Sequence, residues 1–477
     1  MGQDITNSHF KNQDFNHFAQ KLSQETALLK SWFDHGSLSN RENILGFELE
    51  AWLIDSKGRP APINEPYLAA LDDKALFSPE LSRFNIELNS TPQPLSGHTF
   101  SIMKDELDNN WNHCRQTARQ FDADLAIIGT LPTLSDEMLT LDMMSKTIRY
   151  RALNEQVLRM RQGRPIELDI NGIEHLVSTH ADVMLEAATT SFQIHLQVSQ
   201  DKALRYYNAL QLLSAPMVAM SANSPLLFGK KLWQETRIPI FEQAVPVGGF
   251  NGAASGPVKR VSFGTGYARH SLMEVFEENQ QHFPILLPET FSSDPNELSH
   301  LRLHNGTIWR WNRPLIGFDS DGTPHLRIEH RVMAAGPTTI DSIANCALLT
   351  GLAHTLAEES EPVENRLEFS QARDNFYLAA KKGLKAKVSW LDGKSGHMDE
   401  LLQHLLPLAR LGLERLDCSR EDIDDYISVI EGRITTGQTG SAWSLDYLEA
   451  NGEDLYKMLE AYLKGQNSGN PVHEWKI

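Results

Sequence analysis

Cysteine is scarce in this sequence: Cys114, Cys346 and Cys418 are the three among 477 residues. An odd number at wide spacing excludes a disulfide framework and fits a reducing compartment. A basic excess is also missing. Against 62 acidic residues stand 44 lysines and arginines, a formal net charge of -18, so the electrostatic footprint of a nucleic-acid binder is absent. A phosphate site is local and survives that total. No apolar run approaches the roughly 18 residues of a membrane span. The polar opening Met1-Gly2-Gln3-Asp4-Ile5-Thr6-Asn7 has no apolar segment of signal-peptide kind, and no polybasic stretch supports myristoylation at Met-Gly. Neither GxxxxGK(S/T) nor GxGxxG occurs, so both standard nucleotide fingerprints are lacking. Fixed-period repeats and low-complexity linkers are missing too. These absences predict a soluble cytoplasmic protein with neither membrane nor nucleic acid as partner.

What is present is alternation. In Arg327-Ile328-Glu329-His330-Arg331 an extended strand places Arg327, Glu329 and Arg331 on one face. Gly46-Phe47-Glu48-Leu49-Glu50 does the same for Glu48 and Glu50 on a strand over 43–55. A salt-bridge ladder or an exposed strand face explains either pattern. The flanking Phe47, Leu49, Trp52 and Leu53 make both faces look covered, and buried acids need cations or partners.

Further along the chain, 84–92 reads as a short strand carrying Glu87, with Glu80 just before it. A helix follows over 97–121 with Ser96 as its N-cap, then a buried strand over 123–131. The helical pattern at 146–163 is rich in arginine, with Arg149 and Arg151 the first candidates for an anion. In 188–198, Ser191, Gln193, His195 and Gln197 alternate with Phe192, Ile194, Leu196 and Val198. His195 is either a solvated side chain or, beside the acidic strands, a metal ligand. A helix over 201–220 ends at Ser221-Ala222-Asn223-Ser224-Pro225, and the glycine-rich stretch 246–257 reads as a lid-like loop. Strands are expected at 307–314 and 326–332 around a hairpin at 319–324, with a helical pattern from about 340 onward.

The polar set is therefore Glu48, Glu50, Glu80, Glu87, Gln193, His195 and Glu329, with Arg313 and Arg331. Carboxylates, an amide and one imidazole without cysteine suit a hard cation such as Mg²⁺ or Mn²⁺ rather than structural zinc. So many converging acids require two or more cations. Arginines beside them are what phosphoryl transfer needs, since positioning and charge neutralisation dominate that chemistry.

These strands resemble glutamate–cysteine ligase family 2, the carboxylate–amine ligases related to glutamine synthetase. The matching features are Gly46-x-Glu48-x-Glu50, then Glu80, Glu87 and Thr91, then Gln193-x-His195. Ser221 to Pro225 follows, with Gly229 and Arg237 downstream. Arg313-Pro314 precedes Glu329-His330-Arg331, and the last match runs through Asn375, Ala380, Gly383 and Leu384. The resemblance covers about residues 40 to 390. It departs from the family at Val332-Met333-Ala334-Ala335, where an acid is usual after Glu-x-Arg, and at Trp311-Asn312, where an aspartate usually precedes Arg-Pro. Both departures bear on the amino-acid substrate and leave the metal set intact.

The resemblance implies an α+β fold with a curved, mostly antiparallel sheet forming a funnel-shaped active site, helices outside and a helical C-terminal portion. It implies a helical segment over 1–40, a catalytic domain over 41–390 and a packed helical region over 391–477. The implied activity is ATP-dependent formation of a γ-glutamyl amide, as in glutathione biosynthesis, from a glutamate-like acid and an amine. Glu48, Glu50, Glu80, Glu87, His195 and Glu329 would hold two or more Mg²⁺ or Mn²⁺ ions with help from Gln193. Glu329 and Arg331 would be the catalytic pair, Arg331 on the γ-phosphate. Arg313, Arg237 and Thr91 would meet substrate carboxylate or phosphate. A homo-oligomer is compatible with this reading. The alternatives are a phosphotransferase similar to guanidino kinases and a non-catalytic nucleotide-binding relative.

Overall fold

The structure is a computed structural model that describes residues 5–72, 75–247, 259–391 and 393–477. The expected glycine-rich lid falls outside the described residues except for Pro246 and Val247. Helix α1 (Asn12–His35) leads into β1 (Ile44–Asp55), followed by α2 (Asn64–Ala69) and the short strands β2 (Phe77–Pro79), β3 (Asn85–Asn89) and β4 (Gln93–Pro94). Then come α3 (Thr99–Arg119), β5 (Ala123–Ala126), α4 (Ile148–Met160) and a hairpin of β6 (Ile166–Asn171) and β7 (His175–His180). Strand β8 (Ser191–Val198), α5 (Gln200–Met220), the two-residue pair β9 (Leu226–Leu227) and β10 (Lys230–Lys231), and α6 (Arg237–Ala244) follow. Helices α7 (Met273–His282) and α8 (Ser299–Asn305) precede the long hairpin β11 (Asn312–Phe318) and β12 (Pro324–Ala334). The rest is mainly helical: α9 (Thr339–Ala357), α10 (Phe369–Lys382), α11 (Met398–Arg415), α12 (Arg420–Thr436), α13 (Gly440–Asn451) and α14 (Leu455–Ser468).

Eight strands form one curled antiparallel half barrel in the order β11–β12–β8–β1–β3–β2, with β4 and β5 paired to the two ends of β1. Helix α5 packs against β12, β11 and β8, and α9 lies against α5 in turn. Helix α9 is buried on almost every side, as expected of a helix without a polar face. It packs against α5, α11, α12 and α3. Trp52 of β1 stacks on Phe84 at 5.6 Å and donates its indole N–H to the Ile128 carbonyl at 2.9 Å. No helix among the described residues is long and apolar enough to cross a membrane.

Several local expectations are corrected. Ser96 does not cap α3. His98 stands at that position without a side-chain bond, and the Phe100 and Ser101 amides donate to Asp422 of α12 at 2.8 and 3.2 Å. A cap supplied from 322 residues away leaves no trace in local sequence. The strand expected over 123–131 ends at Ala126, beyond which Ile127 and Ile128 are buried without regular pairing. The arginine-bearing strand expected from Thr307 starts at Asn312 instead. The Ser221–Pro225 turn is structural: Asn223 is fully buried and donates to Ala335 O and Tyr462 Oη at 2.7 and 2.8 Å.

Candidate active site

The concave face of the half barrel carries the polar members of five strands, β1, β3, β8, β11 and β12. Antiparallel register decides who meets whom: Glu50 lies opposite Glu87, Glu48 opposite Gln193, His195 opposite Glu329, and Glu329 opposite Arg313. All eight residues of β8 are buried, so the polar face that looked like a solvated edge looks into a cavity. That cavity, about 570 Å³, is lined by Glu48, Glu50, Glu80, Glu87, Gln193, His195, Arg313, Glu329 and Arg331.

Two groups of ligand-type atoms emerge, each with its atoms within 4.8 Å of one another: Glu48, His195 and Glu329 in one, Glu50, Glu80 and Glu87 in the other. Their electrostatics differ. In the first, Glu48 has its carboxyl held well below the usual range: burial pushes it up, but His195, 3.3 Å away, and Arg327 together with smaller contributions prevail over it. Glu329 is held at about 2 despite burial, because Arg313 and Arg331 flank it. Arg313 grips it with two bonds of 2.8 Å, and Arg331 stands at 3.3 Å. In the second group Arg331 offsets Glu50 only in part, and burial and like charge prevail. Burial first, then Glu87, lifts Glu50 to about 7. Burial, then Glu87 and Glu50, lifts Glu80 well above its ordinary value, and burial with Glu48 lifts Glu87.

Gln193 ties the two groups together. Its amide donates to Glu50 at 2.8 Å, and its carbonyl oxygen accepts from the Arg331 guanidinium. Glu50 also accepts from the Ser191 amide and hydroxyl at 2.6 and 2.8 Å. Glu87 is held by Ser78 and Asn89 at 2.8 and 3.0 Å.

The donor set fits hard divalent cations. It is all oxygen apart from one imidazole, it crowds like charges that water does not screen, and the buried Nε2 of His195 has no hydrogen-bond partner. Among the arginines, Nη1 of Arg313 and Nε of Arg331 are also buried without partners, which leaves donors for an anion.

Not every candidate reaches this cavity. Thr91 is exposed and bonds Glu106 through its amide and hydroxyl, the latter at 2.7 Å. Arg237 is buried beneath the sheet end, paired with Glu235 at 3.2 Å and lying over the Trp311 ring. Its Nη2 donates to the carbonyls of Arg331 and Val332 at 3.1 and 2.5 Å. Those carbonyls sit where the register of β12 against β8 shifts between His330 and Met333. Arg151 is exposed on α4, whereas Arg149 lines the cavity and donates to Gly306 O at 3.4 Å. Motif reasoning missed Glu186, Tyr150, Arg302, Asn305 and Trp309, which complete the lining. Helical and irregular segments supply them, where no period-2 pattern marks a wall.

The sequence pattern of glutamate–cysteine ligase family 2 matches residues 44–461. The chain belongs to that family. It is thus an enzyme of the carboxylate–amine ligase type. Glutamate–cysteine ligase from Francisella tularensis in complex with AMP has a similar structure, with a TM-score of 0.59 at 12% identity over 90% of each chain. A bifunctional glutathione synthetase from Pasteurella multocida gives 0.54 at 9% identity, covering 94% of this chain and 55% of that one. Such identities establish likeness of fold. No curated protein sequence matches the chain. Within the family match lie all six carboxylates and imidazoles of the two groups, every one in the same cavity.

Proposed function

We propose that this family member joins the γ-carboxylate of a glutamate-like acid to an amine, with ATP activating the acid as an acyl phosphate. The observation that carries the reading is the pair of three-ligand groups side by side in one cavity, bridged by Gln193 and flanked by Arg313 and Arg331. Glu48, His195 and Glu329 would hold one Mg²⁺ or Mn²⁺ ion, and Glu50, Glu80 and Glu87 another. When bound, such ions neutralise phosphate charge and polarise the oxygens around the transferring group.

The chain's own side chains do the rest. Arg331, held between Glu329 and Gln193, directs an unpartnered Nε–H at the γ-phosphate. Arg313 holds Glu329 in place with two N–H groups and keeps Nη1 for a carboxylate or phosphate oxygen. A carboxylate oxygen of the acid takes the γ-phosphoryl group and ADP departs. The uncharged amine nitrogen then attacks the carbonyl carbon, phosphate leaves with the electron pair of the broken C–O bond, and the proton lost from nitrogen passes to solvent. The AMP of the Francisella enzyme supports a nucleotide on this fold.

Glu329→Ala is expected to abolish ADP release that depends on an amino acid, with circular dichroism unchanged. Undiminished turnover in that variant sinks the proposal. Hydroxylamine separates the ligase from a phosphotransferase that stops at a phosphorylated product: only an acyl phosphate yields a hydroxamate.

A further inference from the structure

One carboxylate in the cavity belongs to neither metal group. Glu186 sits on the 3₁₀ turn Val183–Ala188 that leads into β8. The turn is pinned from both sides: Asp182 accepts from the Met184 amide at 3.0 Å, and Asn154 of α4 accepts from the Val183 amide at 3.1 Å. Its side chain lines the cavity, close enough to Glu50, Glu80, Tyr150 and Arg331 to feel their charge. Among the described residues its carboxylate has no hydrogen-bond or ion-pair partner, although its backbone carbonyl accepts from Thr189 at 3.1 and 2.9 Å.

Charge makes this position informative. Glu50, Glu80, Glu87 and Glu186 put four acids at one end of the cavity. A divalent cation on the three-ligand group offsets two of those charges, and Arg331 is already engaged by Glu329 and Gln193. Glu186 is left without a cation of its own: burial and Glu50 push its carboxyl up to about 8 against the partial pull of Arg331, so a cation beside it is what would hold it as the carboxylate at neutral pH. A half-buried carboxyl so placed takes up its charge with a cationic partner. The divalent site does not require it, because Glu186 lies outside both three-atom groups. A cation that arrives with the substrate does.

We infer that Glu186 receives the ammonium group of the amine substrate, accepts the proton it gives up, and so presents the uncharged amine to the reacting carboxyl beside Gln193. This rests on the ligase reading above. It assigns to one residue the recognition of the acceptor's charge, and predicts acceptors whose amine is protonated in solution, as an amino acid's is.

The test exploits two nucleophiles of different charge. Glutamate and Mg²⁺-ATP are supplied with either hydroxylamine, which is uncharged at neutral pH, or the best acceptor from a panel of the standard amino acids. Glu186→Gln keeps the shape and removes the charge. It should lower kcat/KM for the amino-acid acceptor by about tenfold or more, mainly through KM, as for loss of a charge-assisted bond. The loss with hydroxylamine should be several times smaller, and Glu186→Asp should recover part of the selectivity. Equal losses with both nucleophiles, or no loss with either, would overturn the inference, as would a change confined to the KM of glutamate. If the wild-type enzyme forms no hydroxamate, the ligase reading falls and takes this inference with it. A hydroxamate-forming wild type with an unselective Glu186→Gln variant removes this inference alone.

Discussion

Arg237 shows how much a single residue's role depends on where its neighbours' backbones go. In sequence it is an arginine downstream of a turn motif, a natural candidate for a substrate anion. In the fold its guanidinium is spent on the carbonyls of Arg331 and Val332, which the bulge in β12 removes from the ladder with β8. Unsatisfied buried carbonyls are costly, so Arg237 fixes the backbone from which Arg331 projects. Its own charge is matched by the fully buried Glu235. Arg237→Ala would leave Glu235 uncompensated and should destabilise the protein by about 3–5 kcal/mol, read as a fall in the urea midpoint. A substrate-contact role predicts instead a raised KM at unchanged stability. His195 illustrates the reverse: the solvated reading falls because the side chain is buried, with β12 and β1 placing Glu329 and Glu48 on either side of it.

At the scale of elements, the helices that pack behind α5 come very close to one another. Helices α9 and α11 meet backbone to backbone: a Cβ on Gly412 would lie 1.9 Å from the Gly351 carbonyl oxygen, and one on Gly351 would lie 2.3 Å from that of Ala409. Neither position has room for a methyl group. Gly412→Ala should therefore destabilise by about 1–3 kcal/mol or more through overpacking, whereas Gly266→Ala, with nothing within 4 Å, should be close to neutral. Matched urea denaturation curves check the pair. Equal midpoints would show that the two helices separate more easily than their contact suggests.

The molecule as a whole is stabilised by a core that runs from the N-terminal helix to the last residues. Tyr462 and Gln466 of α14 reach back to the backbone of Ile127 and Leu125 at 2.8 and 3.1 Å, closing the end of β5. Against this stands the strain of the acidic end of the cavity. The sign is set by Glu50, whose carboxyl is raised from its ordinary value to about 7, and Glu186, raised to about 8. A carboxyl with a raised folded-state pKa contributes stability below its unfolded value and loses it as pH rises through the folded one. The buried His304 and His330, lowered to about 4 and about 3, act oppositely but only up to the free histidine value of about 6.5. From pH of about 6.5 up to the folded values of about 7 for Glu50 and about 8 for Glu186, the chelated protein should thus lose stability, at up to about 1.4 kcal/mol per pH unit for each carboxyl still protonated in the fold. Millimolar Mg²⁺ should remove most of that slope. Melting curves across the range, with and without Mg²⁺, check it, and a flat profile in chelator would contradict the electrostatics described above.

By itself the sequence determined what period-2 alternation can carry. Glu48 and Glu50, Gln193 and His195, Glu329 and Arg331 each stand out because a strand shows its face in every second residue, and their chemistry is that of the proposed hard-cation and phosphate site. The scarcity of cysteine and the lack of any nucleotide fingerprint narrowed the class before any contact was known. Tertiary structure decided the rest. Register split the acids into two three-ligand groups, which no spacing within one strand can do. The bulge moved Arg237 from substrate to backbone, and the Asp422 cap displaced Ser96. Glu186, on a turn without periodicity, came into view only when β8, β1 and β12 curled around it. Alternation within one strand is a local property of the chain, whereas which strands meet, and at what register, is settled by packing between segments hundreds of residues apart.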